Sequence, residues 1–284
     1  MVMFKYLLII LNSFFLFISD LKGENVIHSI VTYNIKYDDR STQQNSWVLR
    51  KEGMIELIHS ISPDILGIQE GLMHQVDYLD INLNSFRYVG VGRDDGNKKG
   101  EFCAIYYNKN KYRLIKSSTF WLSENPSEVS IGWDAALERI CTYAQLETLN
   151  GNNKIWIFNT HFDHFGKMAR EQSAKLLIKK IRNINTDGEP TVVMGDFNSL
   201  DNSKVIEFLK KEFKDSMEIS EKMHNGPIGT FNNFLPKQEI TKRIDYIFTY
   251  GMKIVSHEHV NKKLDNGNHI SDHLPVLTNM KISK

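Results

Sequence analysis

The chain has 284 residues, 41% of them apolar, and its 35 basic residues face 34 acidic ones for a formal charge of +1. That length and apolar content suit one large domain, or two small ones, with a real core. Near-neutrality excludes a strongly basic nucleic-acid binder but leaves room for local basic patches.

Residues 1–23 read as separate from the fold. Lys5 gives a positive start, and Tyr6 to Ile18 is almost wholly apolar. This pattern fits a secretory signal and is short for a membrane span, which needs about 20 residues. The expectation is therefore export, with cleavage near Ser19 to Gly23. An uncleaved N-terminal anchor is the alternative. The domain then runs from 24 to 284.

Val26 to Tyr33 reads as a strand ending at Asn34, followed by a polar loop to Ser46. Trp47 to Ile61 has apolar residues at helical spacing, and Pro63 stops it. Asp64 to Gln69 is a short strand running into Glu70. A helix over His74 to Leu83 and a strand over Phe86 to Val91 follow. Gly90-Val91-Gly92 reads as a loop, because no helix follows it. Arg93 to Gly100 is charged and glycine-rich, an exposed hairpin. Strands are expected over Glu101 to Tyr107 and Tyr112 to Trp121, then a loop over Ser123 to Asp134. Leu137 to Leu149 and Lys154 to Thr160 form a hairpin closed by Asn150-Gly151. Met168 to Ile184 is an amphipathic helix.

Thr191 to Met194 is a short buried strand that ends in Gly195, Asp196 and Asn198. A carboxylate and a carboxamide two residues apart at a strand mouth can hold a water, a cation or a phosphate oxygen. A helix over Ser203 to Phe213 comes next, then a loop over Gly226 to Glu239. Strands follow over Arg243 to Tyr250, Lys253 to Val260 and Leu274 to Met280. Cys103 and Cys141, the only cysteines, read as buried free thiols. His164, His269 and the His257-Glu258-His259 triplet read as loop or strand surface.

Asn34, Glu70, His161, Asp163, Asp196, Asn198, Asp272 and His273 share a position type: each lies at or beside a strand end. Strand ends of one sheet lie near one another, so these residues can converge in one cleft. Oxygen donors such as Glu70, Asn34 and Asp272 suit a hard divalent cation. A nearby carboxylate can orient a water, and imidazoles can stabilise a phosphoryl group.

Six segments then carry a resemblance: Thr32-Tyr33-Asn34, Ile68-Gln69-Glu70, Asn159-Thr160-His161, Gly195-Asp196-Phe197-Asn198, Arg243-Ile244-Asp245-Tyr246 and Ser271-Asp272-His273-Leu274-Pro275. In this order they resemble the endonuclease/exonuclease/phosphatase superfamily of DNase I-like metal-dependent phosphohydrolases. The resemblance implies an α/β fold, a four-layer α/β sandwich with two facing mixed β-sheets. It implies Mg²⁺, with Mn²⁺ possible in its place, held by Glu70 with Asn34 and Asp272. Asp196 then orients or activates the water, and Asn198 holds a phosphoryl oxygen. His161 and His273 contact the scissile phosphate, Asp245 holds His273, and Glu101 orients His161. Arg139 and Asp163 are further phosphate-site candidates.

The expected activity is hydrolysis of a phosphoester, with a phosphodiesterase or nuclease first. A phosphatase or a sphingomyelinase-like phospholipase C is the alternative, and an inactive binding module of the same fold is the non-enzymatic one. Candidate substrates are nucleic acid, nucleotide, sugar phosphate or phospholipid headgroup. The arginine expected directly after the Gly-Asp-x-Asn motif of inositol phosphatases is absent, and Ser199 stands there. A dinuclear metallophosphoesterase is disfavoured, because its N-terminal Asp-x-His is missing. No obligate protein partner is evident, and a monomer is expected.

Overall fold

A computed structural model describes residues 26–283 except 40, 42 and 152. The expected signal segment lies outside the described residues. Among the described residues, no helix is long and apolar enough to cross a membrane.

Among the described residues, twelve strands form two six-stranded sheets. The first holds β1 (His28–Asn34), β2 (Ile65–Gln69), β3 (Phe86–Val89), β4 (Ile105–Asn108), β11 (Met252–His259) and β12 (Val276–Ile282), in the order β11-β12-β1-β2-β4-β3. The second holds β5 (Tyr112–Trp121), β6 (Ile140–Thr148), β7 (Lys154–His161), β8 (Thr191–Asp196), β9 (Lys214–Asp215) and β10 (Asp245–Tyr250), in the order β5-β6-β7-β8-β10-β9. β1 runs parallel to β2 and β7 parallel to β8, while the other pairs are antiparallel, so both sheets are mixed.

Strand alternation builds the layers, since successive side chains face opposite ways. Ile30 of β1 and Ile65 of β2 meet Ile157 of β7 and Val192 of β8 between the sheets. Their neighbours Val31 and Leu66 turn outward onto helices α1 (Trp47–Ile61) and α2 (Met73–Asn82). On the far side, Phe158 and Val193 pack against α3 (Lys167–Ile184) and α4 (Lys204–Glu212). The result is the expected helix–sheet–sheet–helix sandwich. Cys103 and Cys141 are buried free thiols.

A polar link crosses the apolar seam beside the cleft. Gln69 at the end of β2 donates to the Asn159 amide oxygen of β7 at 2.6 Å, and Asn159 donates to the Ile68 and Ala104 carbonyls at 2.9 Å each. Buried amides are tolerated when their bonds are made, and of these two amides only Gln69 Oε1 lacks a partner among the described residues. Here they fix the strand ends of one sheet against those of the other, beside the cleft.

Candidate active site

The ends of β1, β2, β7 and β8 open on one side of the seam, with the start of β10 and the segment before β12. Gly195 permits the close approach of β7 and β8. Its φ is +145°, and a Cβ there would lie 1.9 Å from the Thr160 carbonyl oxygen. Beyond it, Asp196 is buried and Asn198 adopts a left-handed φ of 46°. Glu70 has a φ of 63°. Such backbone costs about 1–3 kcal/mol per residue and tends to mark functional sites. Here it turns both side chains into the cleft.

Asn34 ties the acids together. Its amide nitrogen donates to Glu70 Oε1 at 2.9 Å and to Asp196 Oδ2 at 3.0 Å. Its oxygen accepts from the Lys36 backbone N–H at 3.0 Å. Lys36 was not singled out from the sequence. Its ammonium lies 3.6 Å from Glu70 and 3.4 Å from Asp272, so these two carboxylates share one cation. Burial pushes the Glu70 carboxyl up, but Lys36, the Asn34 amide and His273 outweigh it and hold it below the usual range. Burial raises the Asp272 carboxyl, against the opposing pull of His273.

His273 Nδ1 sits 2.8 Å from Asp245 Oδ2, which also accepts from the Thr230 hydroxyl at 2.6 Å. His273 Nε2 points at Asp196 Oδ2 from 3.7 Å. Burial opposes the imidazolium, but Asp245 first and Asp196 second raise its pKa to about 10. The ring is therefore a cationic donor at neutral pH. Asp196 is pushed up to about 7 by burial and by the Asp245 charge, against His273. That places it where a general base works best.

His161 has the opposite character. Arg139 Nη1 lies 3.2 Å from its Nδ1, and arginine offers no acceptor. The ring's Nε2 lies 3.5 Å from Asp196 Oδ2. Burial, Arg139 and Arg93 hold the ring well below its ordinary pKa, hence neutral. Asn198 Nδ2 lies 3.2 Å from the same Nε2 and donates to the Phe162 carbonyl at 3.0 Å. Glu101 stands at 3.9 Å from His161 Nδ1 and pairs instead with Arg93 at 2.6 Å. Its carboxyl is raised to about 7 by burial and by Glu70. So an arginine, rather than the expected carboxylate, makes the close contact that orients His161.

Asp163 stands behind the cleft. One oxygen accepts the Phe165 and Gly166 backbone N–H groups at 2.8 and 2.6 Å; the other accepts Ala136 N–H and Arg139 Nε, each at 3.2 Å. A carboxylate so occupied anchors Arg139 rather than meeting a phosphate. Arg139 also reaches His164 Nδ1 at 2.8 Å.

The structure thus brings Asn34, Glu70, His161, Asp196, Asn198, Asp245, Asp272 and His273 into one cleft. Glu101 and Arg139 lie at its His161 side, and Asp163 lies behind Arg139. Sequence reasoning missed Lys36 and Arg93. Lys36 had a signal in its place two residues after Asn34. Arg93 had none beyond its charge in a glycine-rich loop. His164 is exposed, as expected, whereas His257, His259 and His269 are buried. The reading of these three as surface residues is therefore corrected.

A family model described as "Endonuclease/Exonuclease/phosphatase family" matches residues 31–273. The structure superposes on an endonuclease/exonuclease/phosphatase from Bacteroides vulgatus with a TM-score of 0.86 and 35% identity, covering 91% of this chain and 100% of that one. It also superposes on a mannosyl-6-phosphatase from Bacteroides thetaiotaomicron with a TM-score of 0.84 and 31% identity, covering 89% and 99%. The CCR4-Not complex 3'-5'-exoribonuclease subunit Ccr4 of Mycosarcoma maydis is 26% identical over 78% of this chain, which spans 44% of that protein's length.

Proposed function

This chain belongs to the endonuclease/exonuclease/phosphatase family, and from that premise we propose a divalent-metal-dependent hydrolase that removes phosphate from a small phosphorylated molecule, a sugar phosphate first. The convergence of Glu70, Asp196, Asn198, Asp272 and His273 in one cleft carries the hydrolase reading. The whole-length likeness to a sugar phosphatase supports the substrate class. So does the net charge of +1, because tight binding to a long nucleic acid relies on many phosphate contacts. A nuclease is the second reading, favoured by the likeness to Ccr4.

The residues fit a metal ion. Glu70 and Asp272 present carboxylate oxygens to a shared cation, the position that the Lys36 ammonium now neighbours. An all-oxygen set of this kind suits Mg²⁺ or Mn²⁺. Glu70 and Asp272 would hold the ion, with Asn34 clamping Glu70 from behind. Bound there, it supplies Lewis-acid stabilisation of charge on a phosphoryl oxygen.

The chain's own residues do the rest. Asp196, titrating near neutrality, orients a water and takes its proton; the new P–O bond forms as the one to the leaving group breaks, and the departing oxygen takes up a proton from solvent. The His273 imidazolium donates from Nε2 to a phosphoryl oxygen, and Asp245 keeps it charged. The Asn198 amide, with neutral His161 held beside it by Arg139, completes the polar groups on the opposite side. Donors fixed in advance around developing charge are the largest usual source of such rate enhancement. Export through residues 1–23 belongs to the same proposal and rests on Lys5 and the apolar run after it.

The test is a panel: sugar phosphates, nucleotides, a phosphodiester, RNA, DNA and a phospholipid headgroup, each with Mg²⁺, Mn²⁺ or EDTA. Metal-dependent phosphate release fastest from a sugar phosphate supports the reading. Fastest turnover of RNA or DNA replaces the substrate class, and no turnover of any phosphoester refutes the hydrolase.

A further inference from the structure

Three histidines away from the cleft meet where the edges of the two sheets come together. His257 and His259 lie on β11, the edge strand of the first sheet, and both are almost fully buried. His224 comes from the segment that follows β9 in the second sheet. That segment lies along β11 as an extra rung. Asn225 N–H donates to the His257 carbonyl at 3.2 Å, and His259 N–H donates to the Asn225 carbonyl at 3.0 Å. Gly226 allows the approach: its φ is +93°, and a Cβ would lie 2.1 Å from the His259 carbonyl oxygen.

The ring nitrogens are sorted into two kinds. Three face away from the cluster and have partners. His224 Nε2 and His259 Nδ1 both lie against the Pro227 carbonyl oxygen, at 3.0 and 2.7 Å. A carbonyl only accepts, so each of these nitrogens carries its ring's proton. His257 Nδ1 meets the Ser216 and Thr278 hydroxyls at 3.0 and 3.2 Å. The other three are His224 Nδ1, His257 Nε2 and His259 Nε2. His257 Nε2 and His259 Nε2 are 3.2 Å apart. His224 Nδ1 is buried without a hydrogen-bond partner among the described residues. With the protons of His224 and His259 fixed on the outer nitrogens, the inner nitrogens of those rings are lone pairs. One nitrogen from each ring lies within 4.8 Å of the others.

We propose that His224 Nδ1, His257 Nε2 and His259 Nε2 form a transition-metal site, Zn²⁺ first, separate from the cleft of Glu70 and Asp272. Metal-ligating histidines usually donate their other ring N–H to a carbonyl, carboxylate or water, as His224 and His259 do to Pro227. A tetrahedral ion with metal–nitrogen bonds of about 2.0–2.1 Å sets its ligands about 3.3 Å apart, close to the His257–His259 spacing. Imidazole nitrogens suit Zn²⁺ better than Mg²⁺, so the two sites differ in the ions they select. Burial keeps His257 and His259 in the neutral form that binds metal, at pKa values of about 2 and about 3. A water fills the fourth position, as in other three-histidine zinc sites. The ion pins the segment that runs on to Thr230, whose hydroxyl holds Asp245.

The test uses the full chain, stripped with a chelator and titrated with Zn²⁺ against a chromophoric competitor. The Glu70→Gln background disables the acidic cleft as a rival site. The expectation is one equivalent bound at sub-micromolar strength, weakened at least about 100-fold by His224→Ala, on a half-buried segment where the fold can survive. Substituting Co²⁺ in the unmutated chain should give the visible absorption of a four-coordinate ion with nitrogen donors. A Zn²⁺ affinity unchanged by His224→Ala overturns the site. So does the absence of any Zn²⁺ or Co²⁺ signal in the unmutated chain.

Discussion

Replacing Asp245 by Asn separates charge from shape in the His273–Asp245 pair. Asp245 Oδ2 accepts from both His273 Nδ1 and the Thr230 hydroxyl, and an amide oxygen in its place can still accept from both. The other carboxylate oxygen is buried with no hydrogen-bond partner among the described residues, so the new NH₂ costs about 1–3 kcal/mol of stability. What the variant loses is the negative charge. The rise of His273 from 6.5 to about 10 is a preference of about 5 kcal/mol for the imidazolium, at about 1.36 kcal/mol per unit. Asp245 stands first among its raising causes, ahead of Asp196 and Asp272. Its loss should lower His273 by on the order of 2 units, to about 8. At pH 9 the protonated share then falls from about nine tenths to about one tenth. The sign is fixed: with Nδ1–H committed to the oxygen at position 245, Nε2 carries a proton only on the imidazolium, so activity is lost on the basic side. The assay is kcat against pH for a phosphoester substrate with saturating metal. The variant-to-parent ratio should drop about tenfold further at pH 9 than at pH 6.5. A ratio flat across that range, in a folded variant, refutes the role given to Asp245.

Other perturbations probe other parts. Asp196→Asn removes the proton acceptor and should lower kcat at least about 100-fold while the fold survives, which initial rates beside circular dichroism will check. Glu70→Gln should raise the Mg²⁺ concentration needed for half-maximal rate at least about tenfold, and an unchanged metal titration removes it as a ligand. Arg139→Lys cannot serve Asp163, His161 and His164 together, since an ammonium lacks the planar fork. It should cost about tenfold or more in kcat/KM, and parent-like kinetics would deny Arg139 its positioning role. Gly195→Ala forces a methyl onto the Thr160 carbonyl at a φ of +145°. It should lower stability by about 3 kcal/mol or more in a thermal melt, and an unshifted midpoint would contradict the close approach of β7 and β8.

Much of the site was legible because its residues sit at strand ends, and strand ends are visible as the points where apolar runs stop. Asn34, Glu70 and Asp196 close β1, β2 and β8 in this way; β1 and β2 are neighbours in one sheet, and the facing of the two sheets brings β8 of the other to them. The partners within the site were less legible. Arg139 rather than Glu101 touches His161, because Glu101 is taken by Arg93, whose loop position no local pattern announces. The short strand β9 has two residues and no pattern of its own. The burial of His257 and His259 was hidden by a bulge. Strict alternation from Met252 and Ile254 would turn Ser256 and Glu258 inward. The register against β12 instead skips Val255, pairing Ile254 with Met280 and Ser256 with Asn279. That shift reverses the faces and carries both histidines into the interior, an effect only the partner strand reveals.

The most direct measurement is diffraction from crystals grown with Mn²⁺, using its anomalous signal to locate the ion. The account predicts a peak ligated by Glu70 and Asp272 and facing Asp196, with the Lys36 ammonium moved aside. A manganese peak elsewhere, or none in crystals of protein that hydrolyses a phosphoester only when the ion is added, would contradict it.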